Sequence, residues 1–252
     1  MYKNLLIFIS VVLFSTTMYG QNSIFLDEEN DDTLLLKKYK QHDGHWAGID
    51  FGMNVLLNNS FNRQFAGSTQ WKNSIINSLY FNVNILDHKF ILIENKLGVT
   101  VGLGINHSQI SFTNNFTIKE EYDSIQKDIV VNYYSGTLGT QQNLNINKLR
   151  STYVQIPVLV EFMPTVKSWI SIGALIGYRL GSSTKQEYEL QKSQFITKTK
   201  GDFNILPFKV DATIRGGYKD WGLFATYSLV PLFNTSKTDE IHPFTFGVSF
   251  NY

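Results

Sequence analysis

The chain has 252 residues and a formal net charge of +1, from 22 Lys and Arg against 21 Asp and Glu. Charged residues make up 17% of it and aromatic residues 14%, whereas an average globular protein has ~25% charged residues. This composition excludes a disordered chain and a basic nucleic-acid-binding protein. Because the chain has no cysteine, it also excludes disulfides, thiolate metal sites and thiol nucleophiles.

The first twenty residues have the layout of a secretory signal peptide. Lys3 precedes an apolar run from Leu5 to Phe14, and polar and small residues then lead to Gly20. We predict cleavage after Gly20, so that residues 1–20 are removed and the mature chain is exported. The apolar run is too short to serve comfortably as an anchor across ~30 Å of hydrocarbon.

Residues 21–44 are predicted to form a periplasmic leader. The segment begins with acidic residues and becomes basic at Lys37 and Lys38, an order that suits the dipole of a short helix. At its end, His42, Asp43 and Gly44 are followed by His45, so that two imidazoles and a carboxylate lie within four residues. Zinc sites need a third or fourth ligand at a defined spacing. Since none is evident, we predict a turn here and no metal site.

From residue 45 to the end, apolar residues recur at every second position, the period of a strand with two different faces. The last segment is typical, since Phe246, Val248 and Phe250 alternate with Gly247 and Ser249. Eight segments follow this pattern: 47–57, 79–85, 97–105, 154–162, 170–180, 208–218, 223–229 and 244–252.

The face opposite the apolar one is small and polar. It carries Gly98, Thr100, Gly102, Gly104, Ser171, Gly173, Gly177, Thr213 and Gly217. In a small membrane barrel the apolar face meets lipid and the small face fills a narrow lumen. We therefore predict an all-β fold over residues 45–252, an eight-stranded antiparallel transmembrane β-barrel in the bacterial outer membrane.

The connections between these segments alternate in length. Short turns are expected near residues 87–96, 164–167 and 219–221, and long loops near 59–78, 114–150, 182–202 and 234–241. This sorting is typical of an outer-membrane barrel with short periplasmic turns, longer external loops and both termini in the periplasm. For the longest loop we favour an extension of strands, with partner binding as an alternative.

Three segments resemble the PorT-like outer-membrane β-barrel family of Bacteroidetes. They are Tyr153–Leu159, Arg215–Gly222 and Pro243–Phe250, and the likeness runs from about Trp46 to Tyr252. The resemblance implies a membrane barrel without an assigned chemistry. It also implies a link to protein secretion, which holds for one branch of the family.

Six charged residues are placed on the predicted lumen face. Three acids and three bases balance there: Asp50, Glu161, Asp211, Arg179, Lys209 and Arg215. Buried charges must be paired, so we predict a salt-bridged structural plug rather than an ion or proton pathway. A slip of one residue in register would move all of these side chains to the other face.

No enzymatic motif is recognised. Of the histidines, His88 lies in a predicted turn and His242 before the last strand, whereas His107 beside Ser108 is the nearest approach to a catalytic dyad. Gly-x-Ser-x-Gly is absent. We predict a protein that is not an enzyme, with no catalytic residues, cofactor or metal.

The predicted function is that of a structural protein or of a component of a secretion or transport assembly, acting through loops or periplasmic ends. The expected partners are outer-membrane lipid and proteins of the cell envelope, not nucleic acid. A narrow pore and a soluble periplasmic lipocalin-like barrel with an apolar ligand remain alternatives.

Overall fold

The structure is a computed structural model that describes residues 44–65, 71–94, 96–113, 116–122, 127–133, 144–165, 167–190, 193–235 and 239–252. They belong to one unit of the chain, Gln41–Tyr252. The predicted signal peptide and, apart from Gly44, the predicted leader lie outside the described residues. In the described part of the chain, no helix is long and apolar enough to cross a membrane.

The described residues form eleven strands. They are β1 (Gly48–Leu57), β2 (Leu79–Ile93), β3 (Leu97–Ser111), β4 (Phe116–Tyr122), β5 (Lys127–Tyr133), β6 (Leu144–Thr165), β7 (Ser168–Leu190), β8 (Ser193–Lys200), β9 (Phe208–Tyr218), β10 (Trp221–Ser228) and β11 (His242–Asn251).

Eight of the strands close a ring through antiparallel pairing. Around the ring the order is β1, β2, β3, β6, β7, β9, β10 and β11, and β11 pairs again with β1. Closure gives each of these eight strands a neighbour on both sides, which is the condition for a sheet to lie in hydrocarbon. The eight segments predicted from alternation coincide with these strands, so the predicted eight-stranded barrel is confirmed.

The two faces of the ring differ as the alternation predicts. Phe246, Val248 and Phe250 are 41%, 46% and 42% exposed on the outside, whereas Ser249 is 1% exposed inside. The outer face forms a continuous ring of large hydrophobic side chains, here called the apolar belt. It includes Ile49, Phe51, Phe81, Val83, Phe90, Ile105, Ile156, Val158, Val160, Ile170, Ile172, Ile176, Leu180, Phe208, Ile214, Leu223, Phe246, Val248 and Phe250.

The ring has a short-turn end and a long-loop end. The connections β2–β3, β6–β7 and β9–β10 are tight turns at one end, where β1 also begins and β11 also ends. The connections β1–β2, β3–β6, β7–β9 and β10–β11 lie at the other end. The predicted sorting of connections by length is therefore confirmed.

Three predicted connections contain more strand than expected. The turn expected at 87–96 is reduced to 94–96, because β2 runs on to Ile93 with Lys89 buried in the lumen. In a sequence, strand residues that face a polar interior have the same composition as turn residues, so the two are easily confused. The loop expected at 114–150 contains the hairpin β4–β5 and the start of β6, which agrees with the predicted strand extension. The loop expected at 182–202 is the end of β7 paired with β8.

An apolar cluster, here called the loop cluster, closes the long-loop end. It joins loop residues to the ends of the barrel strands and consists of Leu56, Trp71, Ile110, Phe112, Leu149, Tyr153, Phe203, Ile205, Leu232, Phe233 and Ile241. Two of its aromatic members, Trp71 and Phe233, are 0% exposed, and their ring centroids lie 5.3 Å apart. The long loops are thus anchored by a core of their own.

Closure between β1 and β11 depends on two glycines that face each other, Gly52 and Gly247. A Cβ atom on Gly247 would collide with the carbonyl oxygen of Phe51 and the Cα atom of Gly52, whereas a Cβ atom on Gly181 would meet open space. We expect Gly247→Ala to lower the free energy of unfolding by about 1–3 kcal/mol through overpacking. Gly181→Ala, the matched control, should change it by less than about 0.5 kcal/mol.

The measurement is urea unfolding of the detergent-refolded barrel, followed by tryptophan fluorescence. Equal transitions for the two variants would contradict the requirement for close approach at Gly247.

Candidate functional site

The lumen contains a buried ion pair between opposite walls of the barrel. Arg215 on β9 donates from Nη1 to Asp50 Oδ2 at 3.0 Å and from Nη2 to Asp50 Oδ1 at 2.6 Å. Both residues are almost completely buried. Asn82 and Asn84 also donate to Asp50 Oδ2, at 3.1 Å and 3.0 Å. The bidentate geometry and the two amides satisfy a carboxylate that burial would otherwise destabilise.

Aromatic rings surround the guanidinium group of this pair. Arg215 Cζ lies 4.8 Å from the centroid of the Trp46 ring and 5.4 Å from that of the Phe224 ring. Cation–π contacts of this kind are strengthened where water is excluded. Trp46, which is 0% exposed, comes from the segment before β1, so the start of the described chain enters the barrel.

The segment 44–47, here called the N-terminal latch, is held at the short-turn end by two carboxylates. Glu161 Oε2 accepts from the backbone N–H of His45 at 3.0 Å, and Glu161 Oε1 lies 2.9 Å from His45 Nδ1. Asp87 Oδ2 accepts from the backbone N–H groups of Trp46 and Ala47, both at 3.0 Å. The backbone N–H groups of the latch thus bond to side-chain carboxylates of β2 and β6. In a regular strand they would bond to backbone carbonyl groups of a neighbouring strand.

Glu161 also forms an ion pair with a buried lysine. Lys89 Nζ donates to Glu161 Oε1 at 2.5 Å, and both side chains are at most 2% exposed. The His45 ring stacks on Trp169, with centroids 4.9 Å apart and planes inclined by 18°. A cation, a carboxylate and two rings therefore close the lumen at this end.

Glycines in the wall make room for the two tryptophans of this layer. A Cβ atom on Gly102 would lie 2.9 Å from Trp46 Cδ1, and Cβ atoms on Gly217 and Gly222 would meet the ring of Trp169 at 2.6 Å and 2.8 Å. The small residues that the sequence places on the lumen face thus leave the space that these two rings fill.

A third charged pair lies closer to the long-loop end. Lys209 Nζ is 2.8 Å from Asp211 Oδ2, two residues along the same face of β9, and lies 4.9 Å from the centroid of the Tyr153 ring. A cavity of about 30 Å³ adjoins this pair and is bordered by Tyr80 and Thr245. A cavity of this size holds on the order of one water molecule.

Five of the six charges predicted for the lumen lie inside it: Asp50, Glu161, Asp211, Lys209 and Arg215. The sixth, Arg179, lies on the same face of the sheet towards the long-loop end. It is directly opposite Tyr153, just before a bulge in the β6–β7 pairing, and its side chain is 9% exposed. There Arg179 Nη2 bonds Asp202 Oδ1 at 3.1 Å, and Asp202 is 67% exposed.

Sequence reasoning missed Lys89, Asp87 and His45. Asp87 and Lys89 fall within the turn predicted at residues 87–96, because polar residues interrupt the apolar alternation there. Asp87 and Lys89 alternate with His88 and Phe90. This two-residue period is the signal for a strand with one face towards a polar lumen. The sequence shows His45 only as a candidate metal ligand, whereas in the structure its Nδ1 atom faces Glu161. Among the described residues, no group of three or more metal-ligating side chains occurs.

The histidines considered for catalysis are held in separate places. His107 Nδ1 lies 3.0 Å from Thr152 Oγ1 on the outer face of β3, whereas Ser108 faces the lumen and accepts from Asn54 Nδ2 at 3.1 Å. Neighbouring residues of one strand point to opposite faces, so His107 and Ser108 form no dyad. His88 is exposed on the outer face, and His242 is buried 2.8 Å from the carbonyl oxygen of Ser228.

The fold and the lumen together define a class: a closed eight-stranded transmembrane β-barrel with an apolar exterior and a filled, charge-paired interior. Comparison with family models and with curated proteins gives no match.

Among solved structures, the chain is similar to Ail, the attachment invasion locus protein of Yersinia pestis. The identity is 11% and the TM-score 0.31, over 82% of this chain and 99% of that one. A second structure of Ail, in complex with the heparin analogue sucrose octasulfate, gives 10% identity and a TM-score of 0.32 over 81% and 96% of the two chains. The barrel assignment rests on the strand pairing described above.

The Asp50–Arg215 pair generates a stability prediction. Asp50→Asn leaves the buried guanidinium group without its countercharge, and we expect a loss of about 3 kcal/mol or more in the free energy of unfolding. Asp202→Asn makes the same chemical change in the pair with Arg179, where the carboxylate is 67% exposed, and should cost less than about 1 kcal/mol. Urea titration of both variants in one detergent measures the difference. Similar losses would show that the lumen pair is no more important than a surface pair.

The latch generates an accessibility prediction. Since the chain has no cysteine, Ala47→Cys introduces a single thiol at a position that is 8% exposed. Adding Glu161→Ala removes charge-assisted hydrogen bonds and should accelerate maleimide labelling by about tenfold or more. Glu94→Ala, an exposed glutamate at the same end, is the matched control and should leave the rate unchanged. Equal rates in all three proteins would contradict a latch held by Glu161.

Proposed function

We propose that this protein is a non-enzymatic β-barrel of the bacterial outer membrane with a closed lumen. It acts as a structural protein or as a component of a secretion or transport assembly, through its loops or its short-turn end. The observation that carries the proposal is the combination of an apolar belt outside with layers of paired charges and rings inside.

The apolar belt supports the membrane location. Its side chains are about half exposed around the whole ring, as Ile172 at 60% and Leu223 at 67% illustrate. Soluble monomers rarely expose contiguous apolar patches larger than a few hundred Å². Lipid is the environment in which such a surface is stable, and closed barrels are the β-structures that can lie in it.

The filled lumen favours a closed barrel over the pore alternative. The latch and its Glu161–Lys89 pair close one end, the Asp50–Arg215 pair crosses the middle, and the loop cluster closes the other end. An ion that crosses this path has to displace buried, paired charges, which costs several kcal/mol for each uncompensated charge.

The same interior argues against the lipocalin-like alternative. An apolar ligand needs an apolar cavity of a few hundred Å³, whereas the cavity beside Lys209 and Asp211 has about 30 Å³. The separation of His107 from Ser108 likewise gives no support to an enzyme. Membership of the PorT-like family, with its link to secretion, is part of the proposal and rests on the sequence resemblance.

The experiment is insertion of the full chain into phosphatidylcholine vesicles, followed by flotation and by heat-modifiable migration on a gel. We expect the wild-type chain to insert. Ile172→Arg, within the belt, should reduce insertion strongly, since arginine on a lipid face costs about 2–4 kcal/mol near the midplane. Ile76→Arg makes the same change at a side chain that is 75% exposed in a long loop and should insert normally.

Planar-bilayer recordings complete the test. The inserted wild-type barrel should show no steps of ionic current. Equal insertion of both arginine variants would overturn the membrane location, and regular conductance steps would overturn the closed lumen.

A further inference from the structure

Beyond the apolar belt, the outer faces of β6, β7 and β8 carry a group of cations at the long-loop end. The group, here called the cationic patch, consists of Lys148, Arg150, Lys185, Lys198 and Lys200. None of these side chains belongs to the lumen network, and the proposed function does not depend on them.

The strand register places these side chains side by side. Lys148 on β6 is directly opposite Lys185 on β7, and Lys185 is directly opposite Lys198 on β8. In the next row, Arg150 is opposite Ser183, and Ser183 is opposite Lys200. Directly opposed residues share one face, with Cβ atoms about 5 Å apart. Three lysines thus form a continuous row across three strands.

This row lies on the same side of the sheet as the belt. On β6 the lumen-facing residues Leu149 and Asn147 are 1% and 5% exposed, and Lys148 and Arg150 alternate with them. Arg150 Nε donates to Gln109 Oε1 on β3 at 3.0 Å, which fixes its direction along the outer face.

Negative charge in the patch is sparse. Among the side chains described on this face, Glu187 is the one carboxylate within reach, with Oε2 3.6 Å from Lys185 Nζ. The nearby Asp202 is engaged by Arg179 at the rim. The patch therefore retains an excess of positive charge.

Such an arrangement is unfavourable for the barrel by itself. Like charges directly opposite each other destabilise a sheet, and a surface that needs only solubility intersperses both signs. An anion that lies across the row offsets this repulsion. The Cα atoms of Lys148 and Lys198 are two strand spacings apart, about 10 Å, so the row is wide enough to contact several anionic groups together.

The position of the patch relative to lipid indicates the source of the anion. On β7 the last belt residue is Leu180. Ser183 in the Arg150 row lies three residues further and Lys185 in the lysine row five, about 10 Å and 16 Å along a tilted strand. Both rows thus lie beyond the belt, on the side where the headgroup layer follows a hydrocarbon core of ~30 Å. Long lysine side chains reach back towards this layer with their stems on apolar surface.

We propose that the cationic patch binds the phosphate groups of anionic lipids in the leaflet at the long-loop end. The proposal rests on the membrane location of the barrel. By binding headgroups, the part of β6, β7 and β8 beyond the belt would fix how deeply the barrel lies in the membrane and how it is rotated about its axis.

The test is titration of the detergent-refolded full chain with short-chain phosphatidic acid, with bound lipid counted by native mass spectrometry. We expect Lys148→Gln/Lys185→Gln/Lys198→Gln to weaken binding by about tenfold or more, since each lysine near an anionic surface contributes roughly a fivefold factor. The triple Lys→Arg variant at the same positions should retain binding. The matched control, Lys96→Gln/Lys167→Gln/Lys219→Gln, removes three charges at the short-turn end and should bind within about twofold of wild type.

Each contrary outcome identifies what fails. Equal losses of binding in both triple Gln variants would show that net charge alone is responsible, and would overturn the assignment of binding to the cationic patch. Binding of inorganic phosphate as tightly as phosphatidic acid, with no retained lipid, would overturn the lipid source. Insertion into phosphatidylcholine vesicles without any preference for phosphatidic acid sinks this inference alone, whereas failure to insert there sinks the proposed membrane location.

Discussion

Closure of the sheet is the constraint on which the rest of this molecule depends. In hydrocarbon every backbone N–H and C=O group needs a partner within the protein, and a ring provides one for each strand edge. Here the ring closes between β1 and β11, where Gly52 faces Gly247 with no room for a side chain. Once closed, the sheet has an outside and an inside that meet different environments. The two-residue period of the sequence then assigns Val248 to the belt and Ser249 to the lumen.

A closed ring of eight strands leaves an interior of side-chain width, and this protein fills it with polar groups. Burial of charge requires compensation, which explains why Asp50 has four hydrogen bonds and Glu161 receives Lys89 as well as the latch. The rings of Trp46 and Trp169 occupy the space left by wall glycines. The lumen is thus the barrel's core, polar where a soluble protein would be apolar. The loop cluster is a second core that anchors the long connections.

Alternation and connection length were sufficient to predict the number of barrel strands and the direction in which each face points. They were not sufficient for the ends of the strands. Asp87 and Lys89 looked like turn residues, although they belong to β2, because a polar lumen makes strand and turn compositions similar. The β7–β8 extension was hidden for a related reason, since it rises beyond the belt and has polar residues on both faces. Arg179 follows the alternation onto the inner face, opposite Tyr153, but its partner there is Asp202, which no alternation could indicate.

The sequence by itself determined which environment each face requires, because side chains of a strand alternate and the apolar set here is nearly unbroken. It also determined that charges on the lumen face must balance. Only the tertiary structure decided which charges meet. Asp50 and Arg215 are separated by 165 residues, and His45 reaches Glu161 over 116, distances at which no local pattern carries information. The stagger between strands decides such contacts, and it also aligns Lys148, Lys185 and Lys198 in one row, since stagger arises from closure of the whole ring rather than from any single strand.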